Sequence, residues 1–449
     1  MSSSRRPRCS TTPRPRSCRT PSSVAPRSRH SPGRERAPPI FHTVVAGVIA
    51  AITGFASSFA LVIAGLVAVG ATETQAASGL FALCIATGLL CIVLPLVTRM
   101  PVSFAWSTPG AALLVAAAAT TQQFAAAIGA FIVCGVLIVL AGLWPALGRA
   151  ITSIPKPIAS AMLAGILFPI CVAPVFAAVE QPAIAVPMVL VWLLLARLAP
   201  RWAVPAAMLV AVIGIAVLAG PAVIASEAVR PQLQFVAPVF DPFVIVSLGL
   251  PLFIVTMAGQ NVPGFAVMST FGYRLAPRPV LIASGAASVG AAFAGGHALN
   301  LAAITAAIMA SPESNPDPRR RWVATFTSGI VYLVLGAGAG LAAAVVQASP
   351  PIIITAVAGL ALLGAMVTAL TGALEDPRQR ITAIGTFLVT ASGVAVVGIG
   401  SAFWGLVVGG VLMLWLGRDG SAPVATAPAS AAAAPHSGDG EHDRDTEPA

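Results

Sequence analysis

Charge is what this sequence most lacks. Lys and Arg number 25 and Asp and Glu 15 among 449 residues, 9% of the chain, where a soluble domain carries roughly a quarter. With 57% hydrophobic residues, there is too little polar surface to cover a water-exposed globule. Lipid is therefore the expected solvent for most of the chain. Histidine and cysteine are also rare. The five histidines and six cysteines form no CxxC and no Cys/His cluster, so neither a metal site nor a cofactor is expected, and the apolar-flanked Cys84, Cys91, Cys134 and Cys171 read as packing thiols. No pair of aspartates and no Ser/His set at one depth offers a catalytic centre, which argues against an enzyme.

The net charge of +10 is unevenly placed. Residues 1–39 hold ten arginines against Glu35, residues 418–449 hold two arginines against six acids, and the body between them has 13 basic and 8 acidic residues. The basic character thus reflects a tail and gives no reason to expect a nucleic-acid partner. Residues 1–39, rich in Ser, Pro and Arg, read as a disordered cytoplasmic arm or as the product of a start codon set too far upstream. Residues 418–449 read as a disordered cytoplasmic tail.

What is present is a series of apolar runs of membrane-spanning length. They cover 42–68, 76–97, 101–118, 122–145, 156–178, 182–197, 203–220, 242–268, 278–295, 297–310, 322–346, 350–373, 381–397 and 399–416, each close to the roughly 20 residues a crossing needs or somewhat short of it. If every break is a crossing and the arm is cytoplasmic, all basic residues of the breaks except Arg230 fall inside. Glu73, Glu180, Glu227 and Asp241 fall outside. That asymmetry predicts an all-α polytopic membrane protein with about 14 transmembrane segments, both termini cytoplasmic and the plasma (inner) membrane as its location.

Two breaks look like devices. In the first, RMPVSFAWSTPG from Arg99 to Gly110, Ser107 or Thr108 suits an N-cap and Pro109 the first helical position. In the second, Gly295 and Gly296 precede His297 and Asn300, after which a short apolar helix resumes. Each break falls in the third span of its half when the body, 40–417, is divided seven plus seven into 40–220 and 242–417. An odd number of spans inverts one half against the other, and interrupted segments at matching positions of inverted repeats point to a midplane site. Two half-helix N-termini would then offer N–H groups to an anion. Proline and glycine also kink ordinary spans.

His297 is the only body histidine placed well inside the membrane, and an ionisable group there is a functional candidate; neutral packing is the alternative. Asn300, three residues on, is expected on the same helical face. Gln260 and Asn261, beside a helix-breaking Pro263, should line a cavity or bridge helices. Phe104, Trp106 and Phe265 are candidate walls for an aromatic ligand.

FAWSTPGAALL from Phe104, MAGQNVPG from Met257, GGHALNLAAIT from Gly295 and NPDPRRRW from Asn315 together resemble the benzoate/proton symporter (BenE) family. ASAMLAG from Ala159 and EDPRQR from Glu375 are similar as well, and the likeness runs through residues 40–417 in order. The resemblance implies the uracil-permease and sulfate-transporter architecture, in which a core domain and a gate domain are built from a 7+7 inverted repeat with two broken half-helix segments. It implies proton-driven uptake of benzoate or a similar aromatic carboxylate, and a possible homodimer through the gate. The substrate site so implied comprises Trp106, Ser107, Thr108, Pro109, Gly110, Gln260, Asn261, Gly296, His297 and Asn300, with His297 the proton-coupling candidate. Uracil permeases carry acids near this site, whereas Gln260 and the His297–Asn300 segment stand there in this sequence. The alternatives are a nucleobase or other organic-anion permease of the same fold and an uncoupled anion channel.

Overall fold

A computed structural model describes residues 40–416 apart from 119, 145, 147–154 and 220–231. The arginine-rich arm, the acidic tail, and Arg149, Glu227, Arg230 and Arg418 lie outside the described residues.

A backbone at membrane depth has no water to bond, so it closes its hydrogen bonds within helices. The first half runs α1 (Ile40–Ala56), α2 (Phe59–Ala68), α3 (Glu73–Thr98), β1 (Phe104–Trp106), α4 (Thr108–Ala116), α5 (Phe124–Leu143), α6 (Lys156–Glu180), α7 (Pro182–Leu198) and α8 (Pro200–Ala219). The second runs α9 (Pro242–Thr270), α10 (Pro277–Ala292), β2 (Leu299–Leu301), α11 (Ala303–Ala310), α12 (Trp322–Ala337), α13 (Ala339–Gln347), α14 (Pro351–Leu374), α15 (Arg380–Ala391) and α16 (Ser401–Leu416). Among the described residues, six helical stretches are long and apolar enough to cross a membrane: α1 with α2, α3, α5, α6, α9 and α14. The stretch from Pro318 through α13 makes a seventh if it is one span, bent by 55°. The chain is an integral, multi-pass membrane protein.

Several expected spans take a different form. The run 42–68 is two helices parted at Ser57 and Ser58, and 322–346 is parted at Gly338. The run 381–397 is helical only to Ala391. Pro263 does not break α9. A π turn, Met257–Asn261, ends two residues before it, and that local unwinding accommodates the missing proline N–H without ending the helix. The expectation of an all-α chain is also corrected in one detail, because β1 and β2 pair as a two-stranded antiparallel ribbon.

Packing divides the helices into neighbourhoods. α3 lies along α12, α1 along α12, and α5 along α10, while α6 lies along α14 and α15, and α15 along α16. Lipid tails are as apolar as leucine, so such pairs gain by close approach of small residues. Gly359 shows how close: a Cβ there would sit 2.3 Å from the carbonyl oxygen of Ile170.

Candidate functional site

The ribbon forms where the two interrupted segments meet. Its register pairs Phe104 with Leu301, Ala105 with Asn300 and Trp106 with Leu299. Ser107 N donates to Ala298 O at 2.8 Å and Ala302 N to Ser103 O at 3.0 Å, extending it at both ends. Non-helical backbone survives at this depth only if its outer edge is also paired, and side chains from neighbouring helices pair it. Leu299 N donates to Ser288 Oγ at 2.8 Å, and Leu301 N donates to Asn261 Oδ1 at 3.0 Å. On the other strand, Phe104 N donates to Cys91 Sγ at 3.3 Å. The turn into β2 uses Gly295 at φ +93°, where a Cβ on the facing Gly79 would meet the Gly295 carbonyl at 2.6 Å.

Each strand leads directly into a short helix. α4 has nine residues and α11 eight, about 14 and 12 Å long, so neither crosses the roughly 30 Å hydrocarbon layer. Ser107 is the N-cap of α4, accepting from Gly110 N at 3.1 Å, with Thr108 first in the helix and Pro109 second. Ser107 Oγ also accepts from Thr256 Oγ1 at 2.9 Å, tying α4 to α9. At the start of α11, Ala302 offers no side-chain cap, so the N–H groups of Ala303, Ile304 and Thr305 keep their hydrogen-bonding capacity and the positive end of the helix dipole. The far end of α11 is closed by the buried Arg321, which donates to Ala310 O at 2.8 Å, Asn315 O at 2.6 Å and Pro316 O at 3.3 Å. A cation on a helix C-terminus is favourably placed, and here it fixes the half-helix from behind.

A cavity of about 190 Å³ lies at the two helix starts. Trp106, Thr108 and Pro109 line it from the first interrupted segment, Ala302, Ala303 and Thr305 from the second, and Gln260 from α9. Thr53, Ser57 and Ser58 at or near the break between α1 and α2 add hydroxyls, Tyr332 comes from α12, and Ala361, Leu362, Gly364 and Ala365 of α14 complete the wall. Among the described residues, no charged side chain lines it. Trp106 is held edge-on between Phe55, at 6.0 Å, and Tyr332, at 5.7 Å. A cavity of about 150 Å³ accepts benzene, so one substituted ring matches this space.

The expected site residues therefore separate. Trp106, Thr108, Pro109 and Gln260 share the cavity. Ser107 caps beneath it, and Gly110, in the first turn of α4, packs against α9, where a Cβ would come within 2.6 Å of Leu252. Asn261, adjacent to Gln260, is fully buried and holds the ribbon. Gly296 is buried in the turn before β2. His297 and Asn300 are buried but do not line the cavity. Asn300 lies in β2, not on a helical face shared with His297, because the backbone stays extended until Ala303; this corrects the helical spacing expected for the pair. Its Nδ2 donates to Leu301 O at 2.7 Å while Oδ1 has no partner. His297 Nδ1 donates to Ala298 O at 3.2 Å, the ring meets Phe131 of α5 edge-on at 6.4 Å, and Nε2 is left as a buried, unpaired acceptor. Phe104 and Phe265 also lie off the cavity wall. Sequence reasoning missed Thr53, Ser57, Ser58, Thr305, Tyr332 and the α14 wall. Ser57-Ser58 inside a long apolar run was the available signal.

Two half-helices joined by a buried ribbon, set in a multi-pass helical body around an uncharged cavity, define a membrane transporter. The sequence pattern of the family described as benzoate membrane transport protein (BenE) matches residues 38–414, and the chain belongs to that family. It is 41% identical over 373 residues to the inner membrane protein YdcO of Escherichia coli K12, covering 82% of this chain and 94% of that one. It is 34% identical over 337 residues to the benzoate membrane transport protein of Acinetobacter baylyi, covering 74% and 84%. Among solved structures, the transmembrane domain of the cyanobacterial bicarbonate transporter BicA aligns with a TM-score of 0.51 at 15% identity, over 82% of this chain and 98% of that one. The murine anion transporter Slc26a9, inward-facing, aligns at 0.55 and 14% identity, over 83% and 68%. At such identities the likeness is one of fold.

Proposed function

We propose that the chain imports benzoate or a similar aromatic carboxylate by proton symport through alternating access. The observation that supports this most is the cavity itself: a ring-sized, uncharged space bounded by Trp106 and by the starts of α4 and α11. The helix starts suit a carboxylate, and the indole and α14 suit an aromatic ring. Membership of a family described by benzoate transport supports the same substrate class.

Charge arithmetic favours coupling. A benzoate-like acid, with a pKa of about 4, is an anion at neutral pH. Carrying it inward against a negative-inside potential costs about 2.3 kcal/mol per 100 mV, which a co-transported proton cancels. His297, with its buried free Nε2, is the proposed carrier, and the substrate carboxylate is the other acceptor. In this reading the body crosses the membrane fourteen times in two inverted halves of seven. α1–α5 with α9–α13 form the core, and α6–α8 with α14–α16 form the gate, through which two copies associate. The distribution of basic residues among the breaks supports a cytoplasmic location for both termini.

Uptake by proteoliposomes, measured across a panel of benzoate, substituted benzoates, uracil and bicarbonate with and without an imposed pH gradient, tests the proposal. Benzoate accumulation that follows the gradient is expected. Preference for uracil would move the chain to the nucleobase permeases. Large uncoupled currents would make it a channel.

A further inference from the structure

Beyond the central cavity, a second hollow of about 450 Å³ opens between α6, α9 and α14. Its walls include Lys156 and Ser160 of α6, Gly259 and Pro263 of α9, and Thr368 and Ala369 of α14. The two hollows follow one seam. On α14, Ala361, Leu362, Gly364 and Ala365 line the central cavity and Thr368 and Ala369 line the second hollow, one helical turn further on. On α9, Gln260 faces the first while its neighbours Gly259 and Pro263 face the second. Among the described residues, Lys156 is the one charged residue lining either hollow. It is also the first residue of α6, where the helix dipole adds to its positive charge.

Lys156 donates to the carboxylate of Glu375, which follows the last turn of α14, and the two side chains are 69% and 62% exposed. A solvent-exposed pair of this kind is weak, and its partners exchange readily. Its strength would not keep Lys156 from a competing carboxylate that enters the hollow.

We infer that Lys156 and the hollow beside it form a second subsite for the transported carboxylate, one chamber removed from the central cavity, with Glu375 as the internal anion that occupies Lys156 when substrate is absent. This rests on the transport reading above. The ring lies against Leu163, Val255 and Pro263, the carboxylate meets Lys156, and the local anion concentration on this face rises. A purely structural role for the pair makes a different prediction: removing either partner would then have the same effect.

The test uses the full chain in vesicles of known orientation, with benzoate counterflow started from either face. Lys156→Gln should raise the half-saturation concentration about tenfold from the Lys156 face, the size of one charge-assisted contact, and leave the opposite face within twofold. Lys156→Arg should retain most of the wild-type value. Glu375→Gln, which frees the ammonium, should lower half-saturation on the same face. Equal changes in Lys156→Gln and Glu375→Gln, or changes of equal size on both faces, overturn the subsite and leave a structural tie. No change in either variant overturns it as well. A wild-type chain that carries benzoate from neither face defeats the transport reading itself, and the subsite with it. The unchanged opposite face also shows that Lys156→Gln has folded.

Discussion

Trp106 Nε1 donates to Ser58 Oγ at 2.9 Å, and Ser58 Oγ donates in turn to Gly54 O at 3.0 Å. The indole that walls the cavity is thereby fastened to the break between α1 and α2. Ser58→Ala leaves a buried indole N–H unpaired, at a cost of about 1–3 kcal/mol. Trp106→Phe removes donor and mismatch together while keeping an aromatic face. Ser58→Ala should therefore lower the melting temperature in detergent more in the wild-type background than in Trp106→Phe. Additive effects of the two substitutions would show that the bond carries no coupling.

Gln260 and Asn261 are sequence neighbours with different tasks. Gln260 lines the cavity, while Asn261 Oδ1 accepts from Leu301 N at 3.0 Å and seals the ribbon edge. Gln260→Ala should raise the KM for benzoate several-fold with little change in thermal stability. Asn261→Ala should strand a buried backbone N–H, cost about 1–3 kcal/mol of stability and reduce transport through kcat. The pair of measurements, melting and uptake kinetics on both variants, separates the roles.

How far these roles were legible follows from the kind of pattern each residue belongs to. The interrupted segments were visible because Pro109, Gly295 and Gly296 sit in apolar runs where helices should continue. An N-cap at Ser107 or Thr108 followed from local chemistry, and the fold makes it Ser107. The ribbon was not legible, since β1 and β2 are three residues each and lie almost 200 positions apart; only tertiary contact makes them strands. For the same reason Asn300 was expected on a helix. Nor does the sequence order of Gln260 and Asn261 say which amide faces the ligand, because the π turn Met257–Asn261 shifts the helical phase. The α14 wall escaped notice since its contribution is smallness: alanine and glycine leave room and make no motif.

Arg321 is the last arginine of NPDPRRRW, and its three carbonyl partners lie at and beyond the end of α11. Lysine has one compact ammonium and cannot reproduce the fork. Arg321→Lys should retain charge yet loosen the half-helix, raising the KM for benzoate and lowering stability. Arg320→Lys, at an exposed position, should do neither. Equal kinetics for the two variants would dissociate the clamp from the site.

Proton coupling gives a pH prediction with a definite sign. In a symporter, lowering the outer pH increases the inward driving force, so benzoate uptake should rise as the outside is acidified. Replacing His297 with Gln removes the titrating ring while keeping a polar side chain. If His297 carries the proton, this variant loses gradient-driven accumulation but still exchanges benzoate down its own gradient. Retained accumulation assigns the proton to the substrate carboxylate.

Gly364 offers a steric test of the cavity. A Cβ at this position meets nothing within 4 Å, and the residue lines the cavity beside Ala361 and Ala365. Gly364→Ala should thus be tolerated, with melting and uptake near wild type. A phenylalanine at the same position would grow into a space of about 190 Å³ and occupy most of what one aromatic ring needs. Gly364→Phe should therefore abolish benzoate uptake and benzoate-induced thermal stabilisation while the protein itself still folds. Normal uptake in that variant would move the substrate away from this cavity altogether.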